Sequence, residues 1–304
     1  MKITSQDQWS RRKAIAAGLG FATTPSIAQA GWLDSLFGDS SVGPPNTQLI
    51  DSAKHIEGIT TFAQYRGYSN MYEFGTSKTD PAKYEHEASH LSEDWTVDFN
   101  GTVVDIDQLM GVPFEQLNEE VFNFRCVEAW GMRVHYNGFP LSALLERYGD
   151  TSKKYVSFIS KVDEEAYRGQ GGWSTLNWPY VEAITMAEAM HPLTWAVFGN
   201  YGIQSVANGA PFRVNIPWKY GYKSPKAIVK VICTDTKPSA TWNRLAPNEY
   251  SWHSNVYPNI SHPRWSQATH RMILEDGTSR TTTERYNGYA EDVSHLYPLS
   301  DDNY

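Results

Sequence analysis

Three groups of residues in this sequence have the types and spacing to do chemistry. The first is His86-Glu87-Ala88-Ser89-His90. It matches the H-E-x-x-H pattern, in which two imidazoles bind zinc from one helical face and the carboxylate acts as base. Such a motif needs a long, mostly apolar helix to bury it. Here Pro81 lies just upstream, and Lys83-Tyr84-Glu85 and Leu91-Ser92-Glu93-Asp94 are polar. This context predicts a solvated polar loop, with a zinc hydrolase built on His86, Glu87 and His90 as the alternative. The second is Cys126 within Arg125-Cys126-Val127-Glu128-Ala129-Trp130. A thiolate ligand or nucleophile needs nearby positive charge or metal, which Arg125 and Arg133 are placed to supply. The plainer alternative is a small buried core residue. The third runs from Asn208-Gly209-Ala210-Pro211-Phe212-Arg213 to Ile216-Pro217-Trp218-Lys219-Tyr220-Gly221-Tyr222-Lys223-Ser224-Pro225-Lys226. Its turns free backbone N–H groups, and Arg213, Lys219, Lys223 and Lys226 add positive charge. Together they suit an anionic heterocyclic cofactor with flat aromatic walls; a cationic surface loop beside a strand is the other reading.

The elements that must position these groups are mostly strands. Trp95-Thr96-Val97-Asp98-Phe99 alternates, Asn100-Gly101 turns, and Thr102–Ile106 resumes, which is a hairpin signal. Ile106–Met110 and the segment before Val121 read as helical or turn-like, and Phe122–Val127 as a strand running into a loop. Leu141–Tyr148 has helical spacing, with Gly149 as its stop. Tyr155–Ile159, Phe212–Ile216 and Ala227–Ile232 are strand-like, and Ile184–Met190 is a short helix candidate closed by His191-Pro192. With no regular βαβ rhythm and no dinucleotide-binding glycine fingerprint, the class is α+β, strand-rich.

Composition narrows the function. A chain of 304 residues, 40% hydrophobic, buries a substantial core. Its net charge of −8 argues against nucleic acid as a partner. Ser10-Arg11-Arg12-Lys13-Ala14-Ile15, a mildly apolar stretch to Ala22, and Ala28-Gln29-Ala30 before Gly31 read as a secretory signal of the twin-arginine type, with an ordinary amphipathic N-terminal helix as the alternative. Residues 1–30 are therefore expected to be that signal and 31–64 an extended lead-in. The apolar stretch is far shorter than the ~20 residues of a membrane span, so the mature protein is not expected to cross a membrane. Cys126 and Cys233 could pair in an oxidising compartment, but two cysteines do not make a disulfide framework for this length.

Seven ordered blocks carry a family resemblance: Asn70-Met71-Tyr72-Glu73-Phe74-Gly75, Arg125–Trp130, Gly138–Leu141, Ala189–Thr194, Asn208–Pro211, Pro217–Gly221 and His262–Thr269. The chain from about Tyr65 to Tyr304 resembles the catalytic subunits of bacterial periplasmic protein-methionine-sulfoxide reductases, within the sulfite oxidase fold family. The resemblance implies a molybdopterin-binding catalytic domain over 65–304, with mixed sheets. It implies a Mo-molybdopterin cofactor whose metal is held by the Cys126 thiolate. The pterin contacts carry over to Ser69 or Asn70, then Tyr72, Glu73, Ser160, Asn208, Arg213, Ser224, Pro225 and Lys226. Ser69 stands where the family has asparagine, and Ser160 where it has threonine, which keeps the hydroxyl. Cys233 matches no family ligand and reads as a core strand residue. The implied reaction removes oxygen from methionine sulfoxide in oxidised periplasmic proteins, with electrons from a membrane haem-binding subunit. Sulfite oxidation or reduction of small sulfoxides is the alternative on the same fold.

Overall fold

The computed structural model describes residues 58–297 except Trp173 and Thr175; the expected export signal and most of the expected lead-in lie outside the described residues. Two mixed sheets dominate. The first contains β1 (Thr96–Phe99), β2 (Thr102–Asp105), β5 (Tyr155–Ser160), β6 (Val181–Thr185) and β9 (Ile228–Thr234), in the order β2-β1-β9-β5-β6. The second contains β3 (Asn118–Cys126), β4 (Trp130–Pro140), β7 (Trp195–Gly199), β8 (Arg213–Asn215), β10 (Thr269–Leu274) and β11 (Gly277–Thr282). Its order is β11-β10-β4-β7-β8, with β3 paired to β4. The β1–β9 and β4–β10 pairs are parallel and the others antiparallel. The class is α+β, as the sequence predicts.

Local sequence explains the elements. Asn100 and Gly101 both adopt positive φ, the turn that joins tightly twisted strands, so β1 and β2 pair in register from Thr96↔Asp105 to Phe99↔Thr102. The predicted helix is Ser142–Tyr148, ended at Gly149. Val156, Phe158, Ile228 and Val231 from one sheet and Val134, Tyr136, Val197 and Phe198 from the other are fully buried. Cys233 is a buried residue of β9, as expected, and both cysteines are free.

Four expectations need correction. His86 lies in a helix, Asp80–Ala88, and His90 in the 3-10 turn Ser89–Ser92 that follows, so the segment is helical rather than a loop. Its polarity does place it at the surface: both histidines are exposed, and Glu87 pairs with Arg168 at 3.5 Å. The residues before Val121 extend β3 back to Asn118. Ile184 and Thr185 end β6, and the helix is only Met186–Ala189. A capping box sets that boundary: Thr185 Oγ1 accepts from the Glu188 amide, and Glu188 Oε2 accepts from the Thr185 amide. Helix Phe62–Gly67 starts inside the segment read as extended lead-in, opened by a capping box between Thr61 and Gln64.

Candidate active site

Cys126 ends β3. It pairs with Trp130 at the start of β4, and Val127, Glu128 and Ala129 make the turn between them. The turn is tight enough to hold Ala129 at φ 60. The Cys126 thiol therefore sits at the end of a hairpin, buried, and lines a cavity. Two donors reach its sulfur: the Glu128 amide at 3.4 Å and Asn70 Nδ2 at 3.6 Å. Burial, then the Glu128 carboxylate, push the thiol up to about 12. A thiol so placed is not a free nucleophile at neutral pH; a bound metal is what would make it a thiolate.

The cations expected to activate Cys126 do not reach its sulfur. Arg125 is fully buried, but its guanidinium donates to the Cys126 carbonyl, to Gln267 Oε1 at 2.7 Å and to Thr283 Oγ1 at 3.4 Å. Arg133 is directed to Asn123 Oδ1 and the Gly58 carbonyl. The polar side chains in contact with the sulfur are Asn70 and Glu128, whose Oε2 lies 3.8 Å away. Burial alone would raise the Glu128 carboxyl, but Lys78, Trp130 and Asn70 outweigh it and hold it below the usual carboxylate range.

The same cavity is lined by Ser69, Asn70, Tyr72, Glu73, Arg213, Ser224, Pro225 and Lys226. Distant segments meet here through specific bonds. Lys226 Nζ donates to the Asn70 carbonyl at 2.6 Å and to Ser69 Oγ at 3.1 Å, tying the β8–β9 connection to the loop after Gly67. Gly209, at φ 96, lets Lys226 approach, since a Cβ there would lie 2.5 Å from the Lys226 Cβ. Ser224 Oγ accepts from the Ile216 amide at 3.0 Å. Burial raises the Glu73 carboxyl, with Lys226 working against it.

Two of the expected contacts stand behind the wall. Asn208 donates to the Tyr65 carbonyl, and its own carbonyl accepts from Arg213 Nη1 at 2.7 Å. Ser160 Oγ accepts from the Tyr180 amide, and Tyr180 in turn lines the cavity. Both are buried, and neither lines the cavity itself. Sequence reasoning passed over Glu128 and, in the aromatic wall that Tyr72 and Tyr222 also form, Trp242 and Tyr250. The Tyr72 and Trp242 rings are 5.5 Å apart, Trp242 and Tyr250 5.0 Å, and Tyr222 and Tyr250 5.3 Å. Glu128 carried a signal of its own, a carboxylate two residues from a strand-end cysteine.

The donors fit an anionic, metal-bearing ligand. Arg213 is buried with Nη1 committed to Tyr65 Oη and the Asn208 carbonyl, yet its Nε has no hydrogen-bond partner among the described residues. A buried guanidinium N–H without a protein acceptor among the described residues, beside a cavity that also holds a lysine and a free thiol, has the chemistry to take a phosphate.

Comparison with known proteins agrees with this donor set. Residues 86–242 match the family described as oxidoreductase molybdopterin binding domain. A protein-methionine-sulfoxide reductase catalytic subunit MsrP from Burkholderia mallei is 44% identical over 79% of this chain and 74% of its own length. The MsrP of Ralstonia nicotianae is 38% identical over 97% of this chain and 92% of its own. The sulfane dehydrogenase SoxCD from Paracoccus pantotrophus overlaps 61% of this chain and 49% of its own at 16% identity, with a TM-score of 0.41. The chain belongs to the family of protein-methionine-sulfoxide reductase catalytic subunits, molybdopterin-binding oxidoreductases of the sulfite oxidase family.

Proposed function

We propose that this protein reduces methionine sulfoxide in oxidised periplasmic proteins at a Mo-molybdopterin centre, with electrons from a membrane haem-binding subunit. The observation that carries the reading is the Cys126 thiol, buried, free of disulfide and open to a cavity that also holds Arg213 and Lys226. Two curated relatives named for this activity support it. Sulfoxide reduction takes two electrons and two protons, leaving methionine and water. The cofactor supplies the two-electron oxygen-atom chemistry when bound. Cys126 would hold its metal, while Arg213 and Lys226 would neutralise its anionic tail. Asn70 and Glu128 stand against the sulfur, and the aromatic wall of Tyr72, Trp242 and Tyr250 keeps that side of the cavity apolar.

Metal analysis with activity tests this. Purified protein is expected to contain molybdenum and to reduce protein-bound sulfoxide. Cys126→Ser should lose nearly all turnover at an unchanged thermal midpoint, because a hydroxyl is a far poorer ligand here than a thiolate. Ordinary turnover in that variant would sink the assignment. The periplasmic location rests on Arg11 and Arg12. Changing both to lysine keeps the charge but loses the planar donor fork, and should trap the precursor in the cytoplasm. No helix among the described residues is long and apolar enough to cross a membrane.

A further inference from the structure

Lys78 belongs to none of the motifs above. It lies in the loop between Phe74 and the helix that starts at Asp80. Its Nζ is 2.8 Å from Glu128 Oε2. The same oxygen accepts from Trp130 Nε1 at 3.0 Å and Asn70 Nδ2 at 3.2 Å, and lies 3.8 Å from Cys126 Sγ. Two donors from the connection between helices Phe62–Gly67 and Asp80–Ala88 and one from the start of β4 thus converge on one carboxylate oxygen beside the sulfur. Of the three, only Lys78 carries a charge.

That charge answers a specific problem. A sulfur that ligates a metal is anionic, and a carboxylate held beside it is repulsive. Neutral donors orient the carboxylate but leave its charge in place; an ammonium does both. The loop presents this ammonium without depending on it. The Lys78 carbonyl accepts from the Ser69 amide at 3.0 Å, Asp80 Oδ2 accepts from the Ser77 amide at 2.9 Å, and the Ser77 carbonyl accepts from the Asp80 amide at 3.1 Å. Removing the side chain leaves these bonds intact.

We propose that Lys78 is a positioning residue of the active site, fixing the Glu128 carboxylate against the Cys126 sulfur and offsetting its charge. This rests on Cys126 being the metal ligand. The test uses holoenzyme carrying Lys78→Met, Lys78→Arg, Glu128→Gln, and Lys78→Met with Glu128→Gln. Lys78→Met should keep full molybdenum content and thermal midpoint, lower kcat about tenfold or more with little change in KM, and shift the Mo(V) electron paramagnetic resonance signal. Lys78→Arg should restore most of kcat and the wild-type signal. In the Glu128→Gln background, Lys78→Met should change kcat and the signal by less than about threefold and only marginally, because the two residues act as one unit. A wild-type kcat and signal in Lys78→Met would overturn the proposal. So would an equal loss with and without Glu128, or loss of molybdenum in Lys78→Met. Failure of the underlying reading is distinct: it would appear as wild-type protein without molybdenum, or as normal turnover in Cys126→Ser.

Discussion

Two regions of this molecule bury lysine and arginine in opposite ways. All four cations come from one stretch of sequence, Arg213 to Lys226. Lys219 and Lys223 turn into the core. Lys219 pairs with Glu188 at 2.6 Å and also donates to the His253 carbonyl and Asn255 Oδ1, both at 2.8 Å. Lys223 pairs with Glu182 and donates to the Ala183 carbonyl. Burial alone would raise the Glu188 carboxyl, but Lys219, His253 and Tyr297 outweigh it and hold it well below the usual range. Arg213 and Lys226 face the cavity instead, bonded to carbonyl and hydroxyl oxygens, with no carboxylate among those hydrogen-bond partners. The difference separates charge that holds the fold from charge kept for a ligand. A cation already satisfied by a buried carboxylate has little left for a phosphate; one with a free N–H at a cavity wall is built for it.

The largest effect that would break this contrast lies in the core. Lys219→Met leaves the buried Glu188 carboxylate without its lysine, with only His253, Tyr297 and the Thr185 amide beside it. It should cost about 3–5 kcal/mol and lower the thermal midpoint by on the order of 10 °C, while molybdenum per folded chain stays normal. Adding Glu188→Gln should recover much of that loss. A variant that empties of cofactor before it loses stability would erase the distinction. Arg213→Ala should behave in the reverse sense. It should weaken cofactor binding at least tenfold, about 2–5 kcal/mol, with a smaller change in midpoint, measured as molybdenum and pterin per chain. Full occupancy at unchanged affinity would remove Arg213 from the site.

A third solution to a buried charge is to lose it. Burial, followed by Arg125, Arg133 and Arg280, pushes the His270 imidazole down to about 4. The native protein keeps it neutral in a range where the unfolded chain takes up a proton. Its contribution is therefore fully present above about pH 6.5 and is lost as pH falls towards 4, by up to about 3 kcal/mol. Denaturant midpoints at pH 7 and 4.5 should differ less in His270→Gln than in the wild type; an identical pH slope would show that His270 does not titrate this way. The smallest effect is expected at the surface helix. His86→Ala with His90→Ala should change stability by no more than about 0.5 kcal/mol and leave turnover unchanged. Loss of a bound metal in this double variant would restore a zinc site to consideration.

What the sequence made legible follows the range of the forces involved. The Asn100-Gly101 hairpin and the helix stopped at Gly149 depend on neighbours in the chain and were readable from them. The Met186–Ala189 boundary was equally local: the Thr185–Glu188 capping box starts the helix two residues after the expected Ile184. The sorting of Arg213 and Lys226 from Lys219 and Lys223 was not readable at all. It depends on Glu182 and Glu188, far back in sequence, and on which way each side chain leaves an irregular connection. The expectation that all four would grip one ligand treated proximity in sequence as proximity in space. The cysteine was found through its block of neighbours, whereas Lys78 meets Glu128 only after two loops fold together.

The three-residue turn after Cys126 also limits how this gene can drift. Surface loops ordinarily absorb insertions and deletions with little penalty. This one has its carbonyls spoken for: Val127 accepts from Trp265 Nε1 and Gln267 Nε2, both at 2.8 Å, Ala129 accepts from the Arg271 amide at 3.0 Å, and Cys126 accepts from the Ala129 amide at 3.2 Å. One added residue would slip the register of Cys126 against Trp130 and swing Glu128 off its three donors together. Length at this turn should therefore be held more tightly across descendants of this chain than the identity of Val127 or Ala129.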